Sequence, residues 1–360
     1  MPASAPRASL RQLGEFGLIQ RIRRRVGRLG GSVVRGIGDD AAVLKSRSRQ
    51  FCLITTDLMA EGIHFDRQAA SMKDIGYKAA VASLSDIAAM GGIPQYMVAA
   101  LAIPARYSVL GIDDLYDGML RACRSHGVKL VGGDTSASRR DLFLCLTVTG
   151  TSGQRRPLMR DGARVGDLVY VTGTLGDSCA GLSILQHRGR RRKVGTRGKG
   201  RYLRFLVDRH LRPTVRTREG YLLSHRRLAT AAMDLSDGLS GDLNRLCEES
   251  RVGVEIQTAS LPLSVSCRWY ASSLAADPTE FALQGGEDYE LLFTVSPKNR
   301  HRLDRLARQL GFRFTCIGTI KTKRAGIRVR LPSGRLRLIR QTSFQHFQSR
   351  HGVSLGVSRA

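Results

Sequence analysis

Acidic residues are scarce: 30 Asp and Glu stand against 58 Lys and Arg in 360 residues, a formal charge of +28. Such an excess points to polyanionic partners, either nucleic acid or phosphate-bearing metabolites. Aromatics are few too, 6% with one Trp, which argues against a stacking platform for single-stranded nucleic acid. No apolar run of membrane-spanning length occurs, because the nearest, residues 87–103, is broken by Gly91, Gly92 and Pro94. Residues 1–12 lack the apolar segment of a secretory signal. The 7 cysteines include no CxxC pair, which excludes a zinc ribbon, and their odd, scattered distribution suits a reducing cytoplasm. Nucleotide and hydrolase signatures are missing as well: there is no GxxxxGK[ST], no HRD or DFG, and no GxSxG. Gly36-Ile37-Gly38 before Asp39 is a poor dinucleotide fingerprint, since the acidic pair would face a pyrophosphate with no metal between.

The length predicts two domains at roughly 150 residues each. Helices are expected over 10–28, 75–90 (capped by Asp74 and closed by Gly91 and Gly92), 112–126, 178–187, 237–251 and 299–310. Strands are expected over 51–56, 95–103, 128–131, 142–150, 168–172, 252–257, 291–295 and 312–317. Interleaved helices and strands in both halves imply a mixed α/β (α+β) fold. The Gly-, Arg- and Pro-rich stretch 153–166 marks a boundary, giving domains 1–152 and 153–350 and a tail 351–360. A basic, Gly-rich block at 188–201 reads as a loop. Cys179 and Cys247, on expected helices, read as small buried hydrophobes.

The few carboxylates cluster in short Gly, Ser or Thr contexts. They are Gly36-Ile37-Gly38-Asp39-Asp40, Thr55-Thr56-Asp57, Ser85-Asp86, Gly132-Gly133-Asp134-Thr135, Asp234-Leu235-Ser236-Asp237-Gly238 and Gly285-Gly286-Glu287-Asp288-Tyr289-Glu290. A hard divalent cation such as Mg²⁺ takes carboxylates, water and substrate phosphate as ligands, and adjacent glycines allow close backbone approach. One such Asp is more often a turn or helix cap; six segments in so basic a chain favour Mg-nucleotide chemistry. Asp86 sits near the C-terminal end of its expected helix, where the macrodipole disfavours an anion. A bound metal or a nearby arginine would compensate it.

Taken together and in order, these segments resemble the thiamine-monophosphate kinase family, of the superfamily that includes aminoimidazole ribonucleotide synthetase and selenophosphate synthetase. The resemblance adds Gly14-Glu15-Phe16, Glu61-Gly62-Ile63-His64-Phe65, Leu84 to Gly91 around Asp86, residues 162–176 and His210-Leu211-Arg212-Pro213, and spans about 14–347. It implies an N-terminal half that closes a β-barrel across a homodimer and a C-terminal α/β sandwich. The implied reaction is ATP-dependent phosphorylation of thiamine monophosphate to thiamine diphosphate, in a cytoplasmic enzyme. By the family pattern several Mg²⁺ ions fall to Asp40, Thr55, Thr56, Asp57, Asp86, Asp134, Asp234 and Asp237, with Asp39 behind them. ATP contacts fall to Tyr116, Gly133, Asp134, Arg160 and Ser236, and substrate contacts to His64, Glu287 and Phe344. Metal-bound Asp40, Asp57, Asp86 and Asp134 would stabilise transition-state charge, with no general base. The segment Ser343-Phe344-Gln345-His346-Phe347 departs from the family's usual Gly-Tyr-Asp-His-Phe. Two other readings compete: nucleic-acid binding through the basic block, and a ligase or synthetase of the same superfamily.

Overall fold

The computed structural model describes residues 9–27, 29–45, 50–153, 155–187, 200–339 and 346. In the first half, alternating apolar residues build one sheet face. Its strands are β1 (Val33–Arg35), β2 (Ala42–Lys45), β3 (Phe51–Ala60), β4 (Ile93–Pro104), β5 (Lys129–Ser138) and β6 (Phe143–Gly153). Their order is β1-β2-β3-β6-β4-β5. The helices of this half are α1 (Leu10–Val26), α2 (Met72–Ala89) and α3 (Val109–Ser125). β4 and β5 run parallel, so they need the crossover that α3 supplies. Leu144, Leu146 and Val148 of β6 are buried beneath α2, while Cys145 and Thr147 stand on the other face.

Apart from Lys73, Tyr77 and Asp86, every residue of α2 is buried. A helix apolar on all sides must be packed on all sides. α2 touches β3, β4, β6 and α3 in its own half. In the other half it touches α5 (Gly200–Leu211), α6 (Thr217–His225) and β8 (Ala229–Asp234). Small residues permit this: a Cβ on Gly76 would lie 1.9 Å from the Leu115 carbonyl oxygen, and one on Gly118 would lie 2.0 Å from that of Lys73. The α2 and α3 backbones therefore touch directly.

The second sheet has seven strands in the order β13-β12-β9-β11-β7-β10-β8. The remaining strands are β7 (Leu168–Thr172), β9 (Gly253–Gln257), β10 (Leu291–Val295), β11 (Phe314–Lys321), β12 (Ile327–Arg330) and β13 (Leu336–Leu338). One face packs Val169, Val171 and Met233 against α7 (Leu239–Ser250). The opposite face packs Tyr170, Ala232 and Phe293 against α6 and α10 (Arg300–Leu310). Both faces are covered, so β10 is buried at every residue. Helices α4 (Asp177–Gln186), α5, α8 (Val265–Ser273) and α9 (Pro278–Gln284) form a further layer around Phe281 and Tyr270. Cys179 and Cys247 are buried as expected, and burial pushes both thiols up to about 12.

Several expectations need correction. The α2 cap is Ser71, whose hydroxyl accepts from the Asp74 N–H at 3.1 Å; Asp74 lies inside the first turn and accepts from Arg212 Nε at 2.7 Å. β5 runs to Ser138 rather than ending at Val131 as expected, because pairing with β4 continues through Gly132 and Gly133. Strands β1, β2, β8, β12 and β13 and helices α5, α6, α8 and α9 were not anticipated. Residues 188–199 of the basic block lie outside the described residues, and Gly200 and Arg201 open α5 rather than extending a loop. The first sheet is open among the described residues, with β1 and β5 at its edges. No described helix is long and apolar enough to cross a membrane.

The helix contact makes a prediction about stability. Gly76→Ala or Gly118→Ala should destabilise the protein by about 2 kcal/mol or more in urea unfolding, because backbone must move. Gly30→Ala, whose Cβ meets nothing within 4 Å, should stay within about 0.5 kcal/mol. Equal effects at the three positions would refute the backbone contact.

Candidate active site

Three carboxylates from three parts of the chain converge: Asp40 from the β1–β2 turn, Asp86 from α2 and Asp234 from the end of β8. One oxygen of each lies within 4.8 Å of the others. Asp57 of β3 stands beside them, its Oδ2 buried without a hydrogen-bond partner. The flanking groups offset part of the charge. Thr55 Oγ1 donates to Asp86, and Ser85 Oγ donates to Asp234 Oδ2 at 2.8 Å. Arg160, in the segment joining the two sheets, donates to Asp40 from Nε at 3.3 Å and from Nη2 at 2.5 Å. Asp39 turns away from the cluster to Arg35 Nε at 3.2 Å and the Arg160 N–H at 3.3 Å.

The site is short of positive charge. Burial, then Asp57, Asp234 and Asp40, push the Asp86 carboxyl well above the usual carboxylate range. Burial and Asp40 raise Asp234 to about 8. Burial and Asp40 raise Asp39 to about 7 against the pull of Arg160 and Arg35. Burial also raises Asp57. Burial works against the charge of Arg160, but Asp40 and Asp39 outweigh it. Among the described residues no arginine donates to Asp86, while three carboxylates act on it electrostatically.

The other expected residues are spread around this centre. Thr56 faces the opposite side of the sheet, where its Oγ1 accepts from Thr147 Oγ1 at 3.0 Å. The register aligns Asp134 with Ala100, Cys145 and Leu58, on the face away from Asp57. Asp134 is exposed, beside Gly133 on the edge strand β5. Asp237 is held by Arg245 Nη2 at 2.5 Å, and burial raises its carboxyl. Ser236 is half-buried, and its carbonyl accepts from the Glu287 N–H at 2.7 Å. Tyr116, on α3, packs against the first core. The His64 Nδ1 accepts from the Ala60 N–H at 3.0 Å, and its ring lies 5.1 Å from that of His346. Burial, then His346, lower its pKa. Phe344 lies outside the described residues.

The segment 285–290 distributes its side chains to four places. Glu287 pairs with Lys78 of α2, and Asp288 accepts from the N–H groups of Gly176 and Ser178 at the start of α4. Tyr289 lies among the carboxylates, where burial, then Glu287, Asp57 and Asp234, push its phenol far up. Glu290 accepts from Arg216 Nε at 2.6 Å and Arg209 Nη2 at 2.8 Å. Glu287 and Tyr289 adopt left-handed backbone, at φ 65° and 51°, as residues at functional sites often do. Sequence reasoning missed Lys78, Arg35 and Arg245 as contributors, and Asp242 of α7, whose Oδ2 accepts from the Asp237 N–H at 3.3 Å and the Gly238 N–H at 3.1 Å. Each lies in an ordinary helical or basic context, and only tertiary contact distinguishes it.

Residues 38–152 match the family model described as AIR synthase related protein, N-terminal domain, and residues 164–330 match its C-terminal domain. The thiamine-monophosphate kinase of Salmonella typhimurium is 40% identical over 316 residues, covering 87% of this chain and 92% of that protein. That of Aquifex aeolicus is 39% identical over 294 residues, covering 81% and 88%. A solved structure described as "AaThiL complexed with AMPPCP and TMP" superposes with a TM-score of 0.81 at 33% identity, covering 95% of this chain and 100% of that one. The two half-chain models, the curated relatives and the superposition agree, and the chain belongs to the thiamine-monophosphate kinase family.

Proposed function

We propose that this protein transfers the terminal phosphoryl group of ATP to thiamine monophosphate, giving thiamine diphosphate and ADP. The observation that carries the reading is the convergence of Asp40, Asp86 and Asp234 from both halves of the chain. It occurs in a chain whose relatives carry that kinase name and whose structural neighbour holds AMPPCP and TMP. The acceptor oxygen is already anionic, so no side chain has to act as a base. The physical problem is the repulsion between two phosphates and the charge that spreads over the transferred group. Transfer is direct and in line, with no phosphoenzyme.

An all-oxygen, carboxylate-rich donor set with an unpartnered buried oxygen on Asp57 fits Mg²⁺. Asp40, Asp57, Asp86 and Asp234 would hold it, with Thr55, Thr56, Asp134 and Asp237 serving further ions. When bound, Mg²⁺ neutralises the phosphate oxygens and the charge developing on them. Arg160, oriented by Asp40 and Asp39, clamps the nucleotide phosphates. Tyr116, Gly133, Asp134 and Ser236 complete the nucleotide site. His64 and Glu287 contact the acceptor, joined by Phe344. The domains are 1–152, with the ATP and Mg²⁺ site and the dimer face, and 153–350, followed by the tail 351–360. Exposed Leu58, Tyr96 and Val98 on the open face of the first sheet support a homodimer that closes a barrel there. The protein works in the cytoplasm, and nucleic acid is not its principal partner.

An ADP-release assay with Mg-ATP should give thiamine diphosphate from thiamine monophosphate and none from thiamine. Asp57→Asn or Asp234→Asn should cut turnover on the order of a hundredfold or more. A folded, ATP-binding sample with no turnover would sink the assignment in favour of a superfamily cousin.

Protonation gives a second test. The folded pKa values of Asp39 and Asp234, about 7 and about 8, lie above their unfolded ones. The metal-free folded state therefore binds more protons. The stability this contributes is complete below the unfolded carboxyl value of 3.8 and is lost progressively as pH rises from there through the folded values. In EDTA, Tm should fall as pH rises from about 6 to about 9, and Mg²⁺ should restore it at the alkaline end. A flat profile that ignores Mg²⁺ would contradict the metal reading.

A further inference from the structure

Helix α2 carries a lysine in its buried stretch: Lys78 is 3% exposed. A buried ammonium persists only when paired and hydrogen-bonded, and the pairing here is specific. Lys78 Nζ lies 2.7 Å from Glu287 Oε1 and 3.4 Å from His210 Nε2. His210, on α5 and also buried, places Nδ1 3.1 Å from Ser178 Oγ and 3.5 Å from Glu287 Oε2. An ammonium only donates, so Nε2 accepts and the ring proton sits on Nδ1, facing Ser178 and Glu287. Burial and the Lys78 charge push the His210 pKa down to about 3, which keeps the ring neutral. Burial alone would raise the Glu287 carboxyl, but Lys78 outweighs it and holds the group below the usual carboxylate range.

Four further features set this cluster apart from a generic buried ion pair. Its members come from both halves of the chain. Glu287 is held at φ 65°, a backbone state that L residues seldom adopt. Lys78 and Glu287 both act electrostatically on His64, so all of these groups share one neighbourhood at the domain junction. Lys78 also lies on the same helix as Asp86, two turns earlier, which fixes the acceptor side of the site to the carboxylate side.

We propose that Lys78 and His210 are positioning residues for Glu287: they fix both carboxylate oxygens so that the remaining lone pairs meet the cationic, amino-bearing part of the acceptor, and so set acceptor affinity and selectivity. The inference rests on the reading that Glu287 contacts thiamine monophosphate. Lys78 and His210 act through Glu287, not on the reacting atoms.

The test is steady-state kinetics on the full-length enzyme with thiamine monophosphate and Mg-ATP, alongside Tm. Lys78→Met and His210→Gln should each raise the KM for thiamine monophosphate by about tenfold or more, with KM for ATP unchanged and kcat changed by less than about threefold. Glu287→Gln should raise the same KM. The double variant Lys78→Met/Glu287→Gln should be no worse than Glu287→Gln alone, because Lys78 works through that side chain. Additive losses in the double variant overturn the proposal. So does an equal rise in KM for ATP, or unfolding of both single variants, either of which assigns the cluster to structure. If Glu287→Gln raises KM while Lys78→Met does not, the inference fails and the acceptor site stands. If Glu287→Gln leaves KM at the wild-type value, the acceptor reading itself fails.

Discussion

Repulsion between buried carboxylates is the constraint around which this molecule is arranged. Two unit charges about 4 Å apart at an effective dielectric near 20 repel by about 4 kcal/mol. A hydroxyl hydrogen bond contributes only about 1 kcal/mol net. Thr55 and Ser85 therefore cannot by themselves hold Asp86 and Asp234 together. Arg160 compensates Asp40 but reaches neither of the others as a hydrogen-bond donor. The raised carboxyl pKa values express the remaining deficit, which protons or a cation must fill. Such a cluster survives because the elements that carry it are fixed by packing elsewhere.

That packing runs through α2. The helix is buried on all sides between the two sheets, so its polar residues point where the packing sends them. Ser85 reaches Asp234 in the second half, Asp86 joins Asp40 from the first, and Lys78 reaches Glu287. The segment 285–290 is its counterpart in the second half. Asp288 sits on the α4 N-terminus, where the helix dipole favours an anion, although burial, then Asp177, still raise it to about 7. Glu290 is locked by two arginines. With those two anchors set, Glu287 and Tyr289 have little freedom, and each takes a left-handed backbone to reach its place.

Much of this was legible in the sequence, for physical reasons that differ by element. β7 and β10 were predicted to the residue, because a buried strand flanked by charges and glycines has sharp ends. Asp40, Asp57, Asp86 and Asp234 stood out because acids are rare in so basic a chain, and the structure brings them together. Orientation was not legible. Thr55 and Thr56 look equivalent in sequence, yet the two-residue period of a strand sends their side chains to opposite faces. The strand expected to end at Val131 runs on, because parallel pairing with β4 carries β5 through Gly132-Gly133, with Asp134 on the outer face. Helix α5 was missed because its arginines mask the apolar stripe. Arg209 within it, and Arg216 at the cap of α6, prove to be internal, paired with Glu290.

The same pairings refine what the large positive charge means. A net charge alone cannot separate a nucleic-acid binder from a phosphate-handling enzyme. Location can. Arg35, Arg160, Arg209, Arg216 and Arg245 are largely buried and paired with carboxylates of the site or of the segment beside it. These cations hold acidic side chains in place and are not displayed to a polymer. Acids that would repel phosphate from an ordinary surface are here oriented and concentrated at one junction, with arginines offsetting part of their charge. An anionic nucleotide and an anionic acceptor meet a site whose side chains are carboxylates only if cations offset that charge, and the paired arginines supply part of the offset. Part of the basic excess of the sequence is thus used inside the molecule, where buried arginines fix the acids of the site and of the segment beside it.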